Sequence, residues 1–314
     1  FNKQLKSTTE NQVGHYNVNT YKGLRNSSAK SFLKPIKNNP NLTILTKTEV
    51  LKLNFKNNKI SSLNIKYKGK ILEVKPKIGT ILSSGSIMTP YLLLKSGIGN
   101  PADLNKFNIP VVLNSPHVGK NFQDHLGLDY LYKTYFPTLN KDLGTWGGRV
   151  RSFLQYVYNR KGPLSLSLNQ GGGYVNWKSL DPYPNIQLYF NPLTYSVSFK
   201  NKRPLLNTDK FNGFIIGFNS CRPKSLGEVN LKNVDNDYVP SIDPRYLSDE
   251  RDIHDLYSTF DFIRKFSLNK NITNIIKSPV NIDPIKLSDN ELLDHFKSNA
   301  TTIYHPCGTC RMSK

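Results

Sequence analysis

The chain has 314 residues, 37% of them hydrophobic and 11% aromatic, and 43 Lys and Arg against 22 Asp and Glu give a formal net charge of +21. That length supports two medium domains or one large one around a substantial core, and the aromatic content and apolar periodicities argue against disorder. No run approaches the roughly 18 apolar residues of a membrane span, which excludes an integral helical membrane protein.

Three cysteines, Cys221, Cys307 and Cys310, cannot build a disulfide framework and are compatible with a reducing compartment. The cytoplasm is the expected location, with at most a peripheral attachment to an inner membrane. Ten of the basic residues are Arg, so the excess is mostly Lys, scattered among Asn and Ile in every kind of segment. An AT-rich genome writes that bias onto any fold, whereas a nucleic-acid binder clusters its cations on one face with aromatics between. A solvated basic surface is therefore expected, with no nucleic-acid partner. The chain opens at Phe1 on a polar stretch and closes on Arg311-Met312-Ser313-Lys314, directly after its densest cluster of unusual residues. Termini usually lie away from chemistry, and an internal piece of a longer protein is the expectation.

In chain order, residues 1–26 read as loop, and Ser27 or Ser28 caps a short helix through Phe32 and Leu33, halted near Pro35 or Asn38-Asn39. A strand meander follows: Leu42 and Ile44, then Val50 to Phe55, a turn at Lys56-Asn57-Asn58-Lys59, Ile60 to Tyr67, a turn at Lys68-Gly69-Lys70, and Ile71 to Val74. Ile78 to Ser83 reads as a buried strand and Ser84-Gly85-Ser86 as a tight turn. Pro90 to Lys95 reads as a helix with Thr89 as its cap. Gly97 suits the left-handed residue that stops it. Asn100 and Pro101 open a second short helix, and Ile109 to Leu113 a short strand.

From about residue 127 the texture changes. Arg149 to Tyr158 is amphipathic with a basic face, and Asn185 to Phe190, Phe214 to Phe218 and Gly227 to Lys232 read as strands. A helix runs from about Asp249 to Phe266 with Ile253, Leu256, Phe260, Ile263 and Phe266 as its apolar stripe. The last helix opens on a capping box, Ser288 to Glu291. The pattern is mixed α and β in two blocks, divided near residues 126–135.

Several motifs have a chemical and a structural reading. Gly97-Ile98-Gly99-Asn100-Pro101-Ala102 matches a dinucleotide fingerprint, but a helix, not a strand, precedes it, so the glycines are expected to join two helices. The Ser84-Gly85-Ser86 turn carries little bulk, which suits close approach of a cofactor or close packing equally. Gly171-Gly172-Gly173 lacks the Lys-Ser/Thr end of a P-loop and reads as a strand start or bulge. Cys307-Gly308-Thr309-Cys310 has no second pair to complete a zinc site, so no metal is expected. His305, followed by Pro306 and close to Gly308, sits in a stiff, open loop of the kind that holds a ring against a flat partner. His125, in Gln123-Asp124-His125, is its only rival.

Taken together, three segments resemble one family. Gly85 to Gly99 is similar to the second signature of the glucose–methanol–choline (GMC) flavin oxidoreductases. Val118-Gly119-Lys120-Asn121-Phe122-Gln123-Asp124-His125 resembles their V-G-x-N-x-x-D-H segment, and His305-Pro306-Cys307-Gly308-Thr309-Cys310-Arg311-Met312 their active-site loop. The resemblance covers nearly the whole chain in the right order. Asn169 to Gly173 and Arg222 to Ser225 look most like the choline-dehydrogenase-like branch, while Ser313 stands where the family commonly has Gly.

This resemblance implies a fold of α/β and α+β character. Residues 1–126 would be the later part of a Rossmann-like FAD-binding domain, with its glycine-rich start missing. Residues 127–300 would form a substrate domain built on an antiparallel sheet, and 301–314 would return to the flavin. It implies FAD as cofactor, Val50, Ser84, Gly85 and Pro306 near it, and His305 as the base for oxidation of a small-molecule alcohol. The electron acceptor (quinone, oxygen or other) and the oligomeric state stay open. Oxidising an alcohol requires a hydride and a proton to leave the same group. Flavin takes the first and a base of near-neutral pKa suits the second. A cyanohydrin lyase on the same fold, a basic nucleic-acid-binding module and an inactive fragment are the competing readings. The 314-residue chain alone is expected to bind FAD poorly and turn over nothing.

Overall fold

The computed structural model describes residues 10–165, 167–198, 205–235 and 237–312. Ser313, the position where the resemblance departs from its family, lies outside them. The chain is mixed α/β with antiparallel sheets, and it packs as two units. No helix among the described residues is long and apolar enough to cross a membrane.

The first unit comprises Phe1–Pro35, Leu126–Arg222 and Arg251–Thr302. Its sheet runs in the strand order Gln12–His15, Gly171–Val175, Ile186–Asn191, Gly213–Ser220, Leu126–Thr134, Ile276–Pro279, with Thr301–Thr302 also paired to the Leu126 strand. Alternation places Phe214, Ile216 and Phe218 on one face. There Tyr130 stacks on Phe218 at 5.7 Å and Tyr132 on Phe214 at 5.4 Å between ring centroids. The helix Glu250–Leu268 buries Leu256, Phe260 and Ile263, and the helix Asp289–Asn299 buries Leu292 and Phe296. Phe296 stacks in turn on Phe218. The capping box forms as read: the Glu291 N–H donates to Ser288 Oγ, and the Ser288 N–H donates to Glu291 Oε2 at 2.8 Å. The helix expected at Arg149 begins earlier, at Trp146, where the Thr145 hydroxyl accepts from the Gly148 N–H.

The second unit comprises Ile36–His125, Pro223–Glu250 and Ile303–Lys314. Its meander, Thr48–Lys56, Lys59–Tyr67 and Lys70–Val74, closes on two tight turns. Their central residues, Asn57-Asn58 and Lys68-Gly69, all have positive φ, as hairpin turns that match strand twist require. The helix Gly85–Lys95 packs on the edge strand of this meander. Ser96 Oγ accepts the Leu53 N–H at 3.0 Å and donates to the Leu92 carbonyl. Leu94, Leu104, Ile109 and Leu231 form a buried cluster below.

Residues 10–26 are not all loop, because Gln12–His15 finds a ladder partner far along the chain in Gly171–Val175 and Thr20–Tyr21 pairs with Leu24–Arg25, and four further expectations fail. Leu42 and Ile44 form no strand, and pairing begins at Thr48. Ile78 to Ser83 is not a buried strand either: Ile78 is 104% and Ile81 92% exposed. An apolar run becomes a strand only where another backbone completes its ladder, and no described segment pairs with this one. Thr89 is not a cap, because the helix begins at Gly85 with Pro90 inside it, and Thr89 Oγ1 instead accepts from the Ser84 N–H at 3.1 Å. Ile109 to Leu113 shrinks to a pairing of Leu113–Asn114 with Ile98–Gly99, parallel, since Pro110 has no N–H to offer a ladder.

Candidate active site

Within the second unit the segment that carries His305 is laced antiparallel onto residues 119–125. The Ile303 N–H donates to the His125 carbonyl at 3.2 Å. Gln123 and Cys307 exchange both backbone bonds, at 3.0 and 2.9 Å, and the Gly119 N–H donates to the Thr309 carbonyl at 2.9 Å. Between these rungs a side chain takes over. The His305 N–H donates to Asp124 Oδ1 at 3.0 Å, and the same oxygen accepts the His125 N–H at 2.9 Å. Asp124 Oδ2 accepts the Tyr246 hydroxyl at 2.8 Å. Asp124 is only 7% exposed, so these charge-assisted bonds replace its lost water. With the two backbones so anchored, the imidazoles stand edge to face, 5.9 Å apart with an 86° interplanar angle. His305 is exposed and His125 half-buried. The structure thus brings the favoured histidine and its rival into one pair.

The loop is tied down on its far side by the helix Gly85–Lys95. Ser86 Oγ donates to the Pro306 carbonyl at 2.6 Å, and Thr309 Oγ1 donates to the Ser86 carbonyl at 2.5 Å. The second bond follows from Pro90. A helix residue at that position donates its N–H to the carbonyl four residues back, and proline has none to give. The Ser86 carbonyl that Pro90 leaves unpaired is met by Thr309, which is 1% exposed. Gly308 permits the closeness of the strands: its φ is +91°, and a Cβ there would sit 2.1 Å from the Asn121 carbonyl oxygen.

The other predicted site residues are also found in this unit. Pro306 is joined to Ser86 as described. Ser84 precedes the helix and Gly85 opens it, with φ +82° and no atom within 4 Å of where a Cβ would be, so the turn is bare and open. Val50 lies in the edge strand of the meander and is partly exposed. The fingerprint-like glycines serve packing instead: a Cβ on Gly97 would meet the Pro110 carbonyl at 2.4 Å, and one on Gly99 would meet Leu94 at 2.6 Å. Cys307 and Cys310 are free thiols. Among the described residues no group of three or more His, Cys, Asp or Glu could hold a metal ion. Asp124, Tyr246, Ser86 and Thr309 have no separate role in the sequence reading. The Asp124-His125 adjacency was the available signal, but the contacts that give these residues work span 122 to 223 positions.

Comparison with known proteins gives a consistent picture. Two models of the GMC oxidoreductase family match, over residues 2–127 and 223–314. An "Alcohol dehydrogenase [acceptor]" of Pseudomonas putida is 32% identical over 317 residues, covering 100% of this chain and 56% of the relative. An "Oxygen-dependent choline dehydrogenase" of Cronobacter sakazakii is 30% identical over 298 residues, covering 93% of this chain and 52% of the relative. The chain therefore spans about half the length of these curated relatives. Among solved structures, pyridoxine 4-oxidase from Mesorbium loti superposes with a TM-score of 0.78 at 24% identity, covering 99% of this chain and 57% of that one. A formate oxidase superposes at 0.82 and 23% identity, covering 96% and 56%. At such identities the likeness speaks for the fold.

Proposed function

Because the chain belongs to the GMC oxidoreductase family, whose members are FAD-dependent, we propose that it carries the proton-accepting part of an alcohol-oxidising flavoenzyme with His305 as the base. FAD, when bound, supplies the acceptor for the hydride. The observation that carries the reading is the pair His305–His125, two histidines whose backbone N–H groups share one buried carboxylate and whose rings stand edge to face on a laced loop. An exposed neutral ring nitrogen of His305 can accept the hydroxyl proton of an alcohol. His125, standing at right angles to it, offers a second polar edge to the same oxygen. Asp124 and the Ser86–Pro306 bond fix where His305 is displayed, which is what a base needs before its pKa matters.

The residues fit the cofactor. Gly85 leaves an open, bulk-free turn against which a flat group can lie, and Ser84 and Pro306 flank it through the Ser86 tether. Val50 lies in the edge strand of the meander and is itself exposed. The choline-dehydrogenase-like branch is the finer reading, supported by the relatives above and by the Asn169 to Gly173 and Arg222 to Ser225 segments. Anaerobic mixing of the flavin-loaded full-length protein carrying this chain with a primary alcohol, choline among those tried, tests both levels. Bleaching of the oxidised flavin band supports the oxidation. An unbleached flavin accompanied by cyanohydrin cleavage would replace it with the lyase.

A further inference from the structure

A three-stranded sheet of the second unit delivers a tyrosine to Asp124. Lys120–Phe122, Gly227–Val234 and Asp237–Asp243 pair antiparallel, with Glu228 opposite both Lys120 and Asp243. Gly227 permits the close approach, since a Cβ there would lie 2.2 Å from the Asp243 carbonyl oxygen. The two outer strands run the same way past Glu228. Beyond Lys120 the chain reaches Asp124, and beyond Asp243 it reaches Tyr246. Charges fasten this end of the sheet. Lys120 Nζ pairs with Glu228 Oε2, while Arg245 donates from Nη2 to Glu228 Oε1 at 3.1 Å and from Nε to Asp243 Oδ2 at 3.2 Å.

The turn that carries Tyr246 is held against its own preference. Arg245 has φ +48° and Leu247 φ +58°. That left-handed conformation is unfavourable for residues with a side chain and persists where neighbouring contacts over-determine it. Such contacts surround this turn. The Arg245 N–H donates to Asp243 Oδ1 at 3.2 Å. Ser225, 6% exposed, accepts through Oγ the N–H groups of Ser248 at 3.0 Å and Asp249 at 3.1 Å. Gln123 Nε2 donates to the Pro223 carbonyl at 3.0 Å, which ties the Ser225 segment to the residue before Asp124. Between the two strained positions stands Tyr246, its hydroxyl donating to Asp124 Oδ2 at 2.8 Å. The other oxygen of that carboxylate accepts from both histidine backbones. A carboxylate can turn about its Cβ–Cγ bond, and a donor fixed on one oxygen selects the orientation in which the other faces His125 and His305 together.

We propose that Tyr246 is a positioning residue for the oxidation: acting through Asp124, it sets where the His305 and His125 backbones, and with them the two rings, are displayed. Its catalytic consequence rests on the His305 reading, and its effect on the two backbones does not. The test is Tyr246→Phe in a full-length protein carrying this chain, followed by amide exchange and by stopped-flow flavin reduction. Exchange of the His305 and His125 N–H groups should accelerate about tenfold, as for loss of one hydrogen bond to a charged group, with Gln123 and Cys307 unchanged. The limiting rate of flavin reduction should fall about tenfold, with a smaller change in alcohol affinity. In an Asp124→Ala background the same substitution should add nothing to either readout. Unchanged exchange at the two histidines overturns the proposal, and so does equal acceleration at Gln123 and Cys307, the mark of a merely structural tyrosine. A full effect in the absence of Asp124 overturns it as well. Acceleration confined to the histidines, in a protein whose His305→Ala variant reduces flavin at the wild-type rate, removes the base and leaves the positioning of the two backbones standing.

Discussion

Thr309→Val removes one hydroxyl and keeps the side-chain shape, and its effect depends on a proline 219 positions away. In the native chain the Ser86 carbonyl has lost its helical donor to Pro90, and Thr309 Oγ1 replaces it at 2.5 Å. The valine leaves a carbonyl in a buried setting without a partner, at a cost of about 1–3 kcal/mol. The backbone rung between Gly119 and Thr309 is untouched by the change, so the loss concerns the tether between loop and helix. Native-state amide exchange at Gly119, Gln123 and Cys307 reads the local opening of this lacing. It should accelerate roughly 5- to 150-fold, the same free energy expressed as an equilibrium. Pro90→Ala restores an N–H four residues after Ser86. In that background Thr309→Val should cost much less, and Thr309→Ser should be nearly silent in either. An equal acceleration by Thr309→Val with proline or alanine at position 90 would refute the reasoning, because the hydroxyl would then not be standing in for the missing helical donor.

Asp124→Asn retains an oxygen that accepts from both histidine N–H groups, so flavin reduction should stay within about tenfold of wild type, whereas Asp124→Ala should lower its limiting rate by about 100-fold with a smaller change in alcohol affinity. Stopped-flow reduction over a range of alcohol concentrations separates the two parameters. Gly308→Ala forces a side chain to φ +91° and against the Asn121 carbonyl, and thermal melts should show a loss of at least about 2 kcal/mol. Asp261 gives a pH signature in the first unit. The Lys178 ammonium, 2.9 Å away, and the Trp177 indole N–H hold its carboxyl down to about 2. A depressed carboxylate contributes stability above its unfolded value of about 4 that is lost as pH falls toward 2. Asp261→Asn should therefore destabilise at pH 6 by no more than about 1 kcal/mol, since the pair is partly solvated, and the difference should vanish near pH 2 in urea titrations.

Local chemistry was legible in the sequence. The capping box at Ser288, the Asn100–Pro101 helix start and the two hairpin turns of the meander are written in adjacent residues, and each forms as read. Ile78 to Ser83 failed because an apolar run records the wish for a ladder and not its presence. The start of the helix at Gly85 was missed for the opposite reason. Pro90 reads as a first-turn residue unless a distant hydroxyl is known to serve the carbonyl it strands. His305 was legible as a ring on a stiff, open loop. That Asp124 would fasten it to His125, and Tyr246 would close the set, depends on three segments meeting, and no local spacing encodes such a meeting.

Stopped-flow reduction of the bound flavin by an alcohol substrate, in a full-length protein carrying this chain, wild type and His305→Ala at matched FAD content, bears most directly on the central claim. A base of this kind contributes roughly 10²- to 10⁴-fold, so the alanine variant should hold its FAD and reduce it slower by that factor. Identical reduction rates in the two proteins would mean that the proton leaves by another route and that His305 is not the base.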